Sequence, residues 1–96
     1  MNLTEIQKLL RQNKTFLAQQ YGVKAIGVFG SYARGTAQED SSDVDLLVEF
    51  SRPIGWEFVD LHAYLESLLG EKVDLVTTKA LKPELESTIL SEVVYS

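Results

Sequence analysis

The chain has 96 residues, of which 45% are hydrophobic, so it is expected to fold as one small domain over residues 1–96. Its net charge of −5 argues against nucleic-acid binding, because phosphate backbones are bound by clustered Lys and Arg. The absence of cysteine excludes disulfides and thiolate metal sites and favours a cytoplasmic location, and no apolar run reaches the roughly 20 residues of a membrane helix.

The first predicted element is an amphipathic helix from Thr4 to Gln20. Apolar side chains recur in it near helical spacing, at Ile6, Leu9, Leu10, Phe16 and Leu17. Thr4 and Gln7 fit a capping box at its start, and Gly22 fits the residue that ends it.

A short strand is predicted from Lys24 to Phe29, and Gly30 ends it. Residues Ser31 to Arg34 can form only about one helical turn before Gly35 stops it. A polar loop from Thr36 to Ser42 follows. This order places a tight turn with outward-pointing N–H groups directly after a strand, which suits the binding of phosphate groups.

The second predicted strand, from Asp43 to Phe50, carries its acidic residues on one face. Because side chains alternate between the two faces of a strand, one face holds Asp43, Asp45, Leu47 and Glu49, and the other holds Val44, Leu46, Val48 and Phe50. The two aspartates are then roughly 6.5–7 Å apart along the strand, with both carboxylates aimed the same way.

The rest of the chain predicts two helices and a third strand. A helix from Trp56 to Leu69 ends at Gly70, a strand runs from Lys72 to Thr77, and Pro83 opens a last helix that reaches about Ser91. An extended apolar tail, residues 93–95, follows. The short first loop allows an antiparallel strand pair, whereas the full helix before the third strand suits a parallel crossover. The predicted fold is α/β, a small mixed sheet of about three strands flanked by helices.

Asp43 and Asp45 together predict a magnesium site. Carboxylates this close repel each other unless a cation compensates, and Mg²⁺ takes oxygen ligands while leaving positions for substrate phosphates. The alternative is a strand edge whose aspartates are merely solvated. Asp is uncommon in strands, however, and here two interrupt a run of Val and Leu, which favours the metal site.

Asp74 is a further acid inside an apolar strand, Val73-Asp74-Leu75-Val76. On a strand adjacent to Asp45 it can complete a carboxylate triad, either as a metal ligand or as the acceptor of a proton from an attacking hydroxyl. The alternative is a polar residue on a solvated face. The other two aspartates favour the triad.

Gly30 and Ser31 are the candidate phosphate-binding turn, although Gly-Ser by itself is also found in ordinary turns. Arg34 has two interpretations: it reaches a phosphate oxygen, or it pairs with Glu39 or Asp40 of the polar loop. Together with the downstream aspartates, the turn predicts a site for a metal-bound nucleoside triphosphate.

Four other side chains receive mainly structural interpretations. Tyr32 either fills the core or packs beside the nucleotide, and His62 is structural, on a helix away from the motif. Glu49 is expected at a solvated edge and Trp56 in packing contacts. The sequence lacks a P-loop, and one distant histidine without any cysteine supports neither a serine triad nor a cysteine nucleophile.

The run Phe29-Gly30-Ser31, eleven residues, and then Asp43-Val44-Asp45-Leu46 resembles the signature of the DNA polymerase β-like nucleotidyltransferase superfamily. Within it, the chain is similar to the minimal nucleotidyltransferases, the MNT-domain antitoxins of HEPN/MNT toxin–antitoxin pairs. The likeness runs from about Tyr21 to the C-terminus and includes the strand around Asp74 and Leu81-Lys82-Pro83.

This resemblance implies a mixed sheet with flanking helices and two Mg²⁺ ions held by Asp43, Asp45 and Asp74. It also implies transfer of AMP from ATP, with pyrophosphate leaving, to a hydroxyl of the partner HEPN ribonuclease toxin, typically that of a tyrosine. The residues alone lead to a metal-bound triphosphate, whereas the acceptor and the toxin rest on the resemblance.

Three functions compete at this point. The first is a protein adenylyltransferase that silences a cognate toxin. The second is a binding module that neutralises the toxin by complex formation, with an inactive nucleotide site; the presence of three aspartates with Gly30 and Ser31 favours the enzyme. The third is transfer to a small molecule, which a chain of this length has little surface to enclose.

Overall fold

A mixed sheet organises the fold, which a computed structural model describes over residues 1–38 and 42–96. In chain order, the elements of these ranges are α1 (Leu3–Gln12), α2 (Lys14–Tyr21), β1 (Val23–Phe29), α3 (Gly30–Arg34), β2 (Val44–Phe50), α4 (Glu57–Leu69), β3 (Val73–Thr77), a 3₁₀ turn (Thr78–Ala80), α5 (Pro83–Glu92) and β4 (Val94–Tyr95). No helix in the described ranges combines the length and the hydropathy that crossing a bilayer requires.

The sheet has four strands in the order β3-β2-β1-β4, where about three were predicted. Strands β1 and β2 are antiparallel and β2 and β3 are parallel, so the predicted mixed sheet is confirmed. The additional strand is β4, whose Val94 and Tyr95 pair with Val28 and Gly27 of β1. Two residues are too few to carry a strand pattern, so the sequence showed only an extended tail.

Asn13 divides the N-terminal segment into two helices where one was predicted. Its backbone has φ −106° and ψ 9°, and its Nδ2 donates to the Leu9 carbonyl at 2.8 Å. Its Oδ1 accepts a hydrogen bond from the Tyr64 hydroxyl, also at 2.8 Å. Asn side chains compete with the backbone for hydrogen bonds in this way, and the continuous apolar periodicity concealed the break.

The cap of α1 is Asn2, so the predicted capping box of Thr4 and Gln7 is wrong. Asn2 Oδ1 accepts a hydrogen bond from the Glu5 N–H at 2.9 Å. A cap at Asn2 lets the helix begin at Leu3, one residue before the predicted start. At the other end Gly22, with φ 69°, terminates α2 as predicted.

Helices α1, α2 and α4 cover one face of the sheet. Their buried side chains form one apolar cluster with that face, composed of Ile6, Leu10, Leu17, Val23, Ile26, Val28, Tyr32, Val44, Leu46, Val48, Leu61, Leu65, Leu69 and Val73. Of the four β2 residues that alternation predicted for this face, Val44, Leu46 and Val48 belong to the cluster, and Phe50 packs against it while partly buried. Asp45 and Leu47 therefore point to the opposite face, away from these three helices.

Trp56 lies outside the core, so the predicted packing role is wrong. Its exposed fraction is 87%. The buried stripe of α4 consists of Leu61, Leu65 and Leu69, which recur every four residues. A residue five positions before Leu61 falls well off that stripe at 3.6 residues per turn, so Trp56 points to solvent.

Candidate active site

The turn between β1 and α3 forms one wall of the candidate site. Gly30 is buried, has φ 73°, and begins α3 directly after Phe29. A Cβ at Gly30 would collide with Oδ2 of Asp45. Only glycine therefore lets the turn approach the Asp45 carboxylate this closely. The candidate phosphate-binding turn and the candidate metal ligand Asp45 are direct neighbours.

Asp45 and Asp74 lie directly opposite each other on the two parallel strands β2 and β3. On the other side of β2, Asp45 pairs with Phe29 of β1, the residue that precedes the turn. Asp45 is half-buried and Asp74 is exposed. The sheet register therefore brings together residues that are far apart in the chain, as the predicted triad required.

Asp43 lies two residues before Asp45, just outside the bounds of β2, and its side chain is exposed. The next residue, Val44, donates its N–H to the Lys72 carbonyl at 2.8 Å, so this end of β2 lies against the start of β3. Asp43 is close enough to Asp45 for its charge to raise the Asp45 pKa. The three predicted carboxylates thus share one end of the sheet.

The electrostatics of this group centre on Asp45. Burial, and then the negative charges of Asp74 and Asp43, raise the pKa of Asp45 from 3.8 to about 6. The Arg34 guanidinium opposes this rise, and a side-chain hydrogen bond with Asp74 adds to it. The site therefore carries more negative charge than its own residues neutralise.

Among the described residues, no three His, Asp or Glu side chains converge closely enough to hold a metal ion as they stand. The donor set at Asp43, Asp45 and Asp74 nevertheless fits a divalent cation of the magnesium type, because all three supply carboxylate oxygens. Burial is the largest cause of the raised pKa of Asp45, and the negative charges of Asp74 and Asp43 add to it; a cation would relieve that second contribution.

Arg34 pairs with a residue that the sequence interpretation did not consider. Its Nη1 donates to Glu92 Oε2 at 3.0 Å and to Oε1 at 3.2 Å. Glu92 Oε1 also accepts the Gly30 N–H at 2.9 Å. The loop partners named above, Glu39 and Asp40, lie outside the described residues.

Glu92 is the site residue that sequence reasoning missed. It lies 62 residues after Gly30, so no local pattern joins the two. One signal was available: an acidic residue at the C-terminal end of a helix opposes the helix dipole and needs another reason to be there.

The remaining interpreted side chains take structural positions. Tyr32 is 4% exposed and belongs to the apolar cluster, so it fills the core, which was one of its two interpretations. His62 Nε2 lies 2.7 Å from the Val73 carbonyl oxygen, which ties α4 to β3. Glu49 is partly exposed and lies 3.8 Å from Lys24 Nζ, in agreement with a solvated edge.

A mixed sheet with a glycine turn beside paired strand aspartates defines a nucleotidyltransferase. The chain matches the nucleotidyltransferase domain family over residues 10–96 and belongs to that family. It is 50% identical, over 96 residues, to the protein adenylyltransferase MntA of Thermococcus cleftensis, with 99% of this chain and 96% of the relative covered. The predicted enzyme class, nucleotidyltransferase, is confirmed.

Solved structures of toxin–antitoxin complexes contain the same fold. One chain from a toxin–antitoxin complex with AMP-PNP aligns with a TM-score of 0.69 and 28% identity, covering 99% of this chain and 72% of that one. A chain from the complex of tri-AMPylated Shewanella oneidensis HEPN toxin with MNT antitoxin aligns with a TM-score of 0.60 and 25% identity, covering 98% and 67%. The resemblance to the minimal nucleotidyltransferases is confirmed.

The charge at Asp45 predicts a pH-dependent stability effect. A carboxyl whose pKa is raised on folding favours the folded state below its unfolded pKa, and this contribution is lost as pH rises through about 6. We therefore expect Asp45→Asn, which cannot ionise, to raise the melting temperature at about pH 7.5 without divalent cations and to have little effect near about pH 4.

Differential scanning fluorimetry in EDTA at the two pH values measures this difference. Glu49→Gln, on the same face of β2, is the matched control and should change neither melting temperature by much, because its ion pair with Lys24 is exposed. A gain for Asp45→Asn that is equal at both pH values, or a loss at the higher one, would contradict the electrostatic account.

Proposed function

We propose that residues 1–96 form one minimal nucleotidyltransferase domain that transfers AMP from ATP to a tyrosine hydroxyl of a cognate HEPN ribonuclease toxin, and that the chain acts as the antitoxin. The 50% identical relative carries the name protein adenylyltransferase. The AMP-modified HEPN toxin bound to an MNT antitoxin supports the acceptor class.

The observation that carries this proposal is the register of β2 and β3. It sets Asp45 directly opposite Asp74, while Gly30 touches Asp45 from the adjacent turn. A turn suited to phosphates and carboxylates suited to cations are thus adjacent, as handling of a nucleoside triphosphate requires.

Asp45, Asp74 and Asp43 are the residues that would hold Mg²⁺, two ions on the predicted pattern. Bound there, the cation supplies positive charge that neutralises the triphosphate and favours ionisation of the acceptor hydroxyl. The protein's own contribution is the placement of the carboxylates, which for Asp45 and Asp74 follows from the strand register.

The other steps fall to side chains and backbone groups of this chain. The turn that Gly30 and Ser31 form, with Arg34, binds the triphosphate so that its α-phosphorus faces the acceptor, while the Gly30 N–H itself donates to Glu92. The acceptor oxygen forms the new bond to that phosphorus, and the bond from the α-phosphorus to the bridging oxygen breaks, releasing pyrophosphate. Asp74, which is exposed on the same face, takes the proton of the hydroxyl.

The acceptor must reach this site from outside the chain. The aspartate-bearing face lies opposite α1, α2 and α4, which pack on the other face of the sheet. Asp43 and Asp74 are both exposed. A tyrosine of a second protein therefore has a route to the aspartates, which favours a macromolecular acceptor over an enclosed small molecule.

The direct test uses the cognate HEPN protein that is proposed as the partner. Incubation of the two proteins with ATP and Mg²⁺ should add one or more AMP units to the HEPN protein, as measured by intact-mass spectrometry. Peptide mapping should place the modification on a tyrosine. Omission of Mg²⁺, with EDTA present, should leave the mass unchanged.

Asp74→Asn separates chemistry from nucleotide binding in the same assay. We expect it to bind ATP and to leave the HEPN protein unmodified. If the wild-type chain binds ATP measurably and still leaves its partner unmodified, the adenylyltransferase proposal fails and neutralisation by complex formation takes its place.

A further inference from the structure

Glu92, the last residue of α5, connects the C-terminal segment to the candidate nucleotide site. Its Oε1 accepts hydrogen bonds from the Gly30 N–H at 2.9 Å and from Arg34 Nη1 at 3.2 Å. Its Oε2 accepts from the same Arg34 nitrogen at 3.0 Å. One carboxylate therefore binds two of the three residues proposed to bind the triphosphate.

The position of Glu92 is energetically unfavourable without these partners. Its side chain is only 20% exposed, whereas Arg34 is 53% exposed. A largely buried carboxylate must be paired, and one at a helix C-terminus is also disfavoured by the helix dipole. The contacts to Gly30 and Arg34 offset the desolvation of the carboxylate and its unfavourable interaction with the helix dipole. Glu92 is therefore stabilised at this position by the two site residues.

Arg34 retains the capacity to bind a ligand while it is paired with Glu92. A guanidinium has five N–H donors in a rigid planar fork, and the Glu92 contacts use only Nη1. The same guanidinium is near enough to Asp45 to lower its pKa. Arg34 therefore contacts Glu92 and is near Asp45, with its other nitrogens unused by Glu92.

We propose that Glu92 is a positioning residue that holds the Arg34 guanidinium and the Gly30 turn in the arrangement that receives the triphosphate. The inference rests on the proposed function, because it takes ATP as the substrate. Glu92 does not touch the nucleotide; it acts through Arg34 and fixes the direction of the fork. Helix α5 and strand β4, which flank Glu92, thereby become part of the nucleotide site.

Glu92→Gln is the decisive variant because Gln keeps the shape and can still accept the Gly30 N–H. It removes the charge that holds Arg34, and it replaces the acceptor Oε2 with an amide nitrogen that cannot accept from Arg34 Nη1. We expect the dissociation constant for AMP-PNP with Mg²⁺ to rise about tenfold, which corresponds to about 1.4 kcal/mol. Isothermal titration calorimetry on the full chain measures this. Glu86→Gln, on the exposed surface of the same helix, is the matched control and should bind as the wild type does.

A double-substitution cycle distinguishes positioning from a general structural role. If Glu92 acts through Arg34, then Glu92→Gln made in the Arg34→Gln background should change the dissociation constant by less than about twofold. A purely structural role predicts the same loss in both backgrounds. Thermal melts of all variants, together with Glu92→Asp, show whether any loss of binding follows from loss of the folded state.

The outcomes are separable. Weaker binding by Glu92→Gln that disappears in the Arg34→Gln background supports the proposal. Unchanged or tighter binding by Glu92→Gln overturns it, tighter binding meaning that Glu92 competes with phosphate for Arg34. Failure of the wild-type chain to bind AMP-PNP overturns the proposed function as well. If the wild-type chain binds AMP-PNP and Glu92→Gln binds it equally well, only the inference about Glu92 is overturned.

Discussion

Replacement of Asp43 and Asp45 together by Asn is expected to reduce AMP transfer by at least about 1000-fold, since loss of about 4 kcal/mol of charge stabilisation has that effect on a rate. Asn preserves the size of both side chains and removes the charge that would hold cations. Binding to the proposed HEPN partner should persist, because the fold does not depend on these charges. Single-turnover transfer and a pull-down with the partner measure the two properties.

The control for this double variant is Glu49→Gln, which changes an acid on the same face of β2 and should transfer AMP normally. Asp45→Asn is expected to melt at a higher temperature near neutral pH, so unfolding does not explain a loss of activity. Transfer within about tenfold of the wild type would exclude these aspartates from the reaction centre. Full neutralisation of the toxin in cells by the double variant would show that complex formation is sufficient.

Gly30→Ala is expected to lose both stability and activity, and Gly70→Ala only stability. Both glycines have positive φ, 73° and 67°, where an L side chain costs about 1–2 kcal/mol. At about 4–8 °C per kcal/mol, the melting temperature of Gly70→Ala should fall by roughly 5–15 °C. The melting temperature of Gly30→Ala should fall further, because its Cβ would meet the Asp45 carboxylate, whereas a Cβ at Gly70 would meet no neighbouring atom within 4 Å.

The activities of the two alanine variants should be compared well below both melting temperatures. The difference then reports the effect of the Gly30–Asp45 contact on activity, separately from the loss of stability. A displacement of about 1 Å at the reacting groups can lower a rate about 100-fold, so Gly30→Ala should lose at least that much transfer. Gly70→Ala should transfer AMP at the wild-type rate. Equal activities would mean that the close approach of the turn to Asp45 has no role in catalysis.

Much of the site was predictable because its signals are local. Gly30 follows a strand at a fixed point, and Asp43 and Asp45 interrupt an apolar alternation, so a turn and an acidic strand face could be inferred from adjacent residues. The parallel pairing that brings Asp74 opposite Asp45 followed from the crossover helix between them. Each of these inferences depends on short-range pattern or on the length of the connection between strands.

The features that were missed depend on contacts between distant segments. The break at Asn13 requires the Tyr64 hydroxyl, which is 51 residues away. Strand β4 has only two residues and exists because β1 offers it an edge. Glu92 meets Gly30 and Arg34 only after α5 has returned across the sheet. No periodicity records such contacts, although an acid at the end of α5 was a visible anomaly.

The pairing of Asp45 with Asp74 has a consequence for how the enzyme acquires activity during folding. Both residues belong to one ladder, and a slip of one residue in either strand would turn its side chains to the opposite face. A slipped β2 would bury its aspartates under three helices and remove Val44, Leu46 and Val48 from the apolar cluster. Misregistered molecules are thus too unstable to accumulate, and a folded population should contain no inactive isomer of the site.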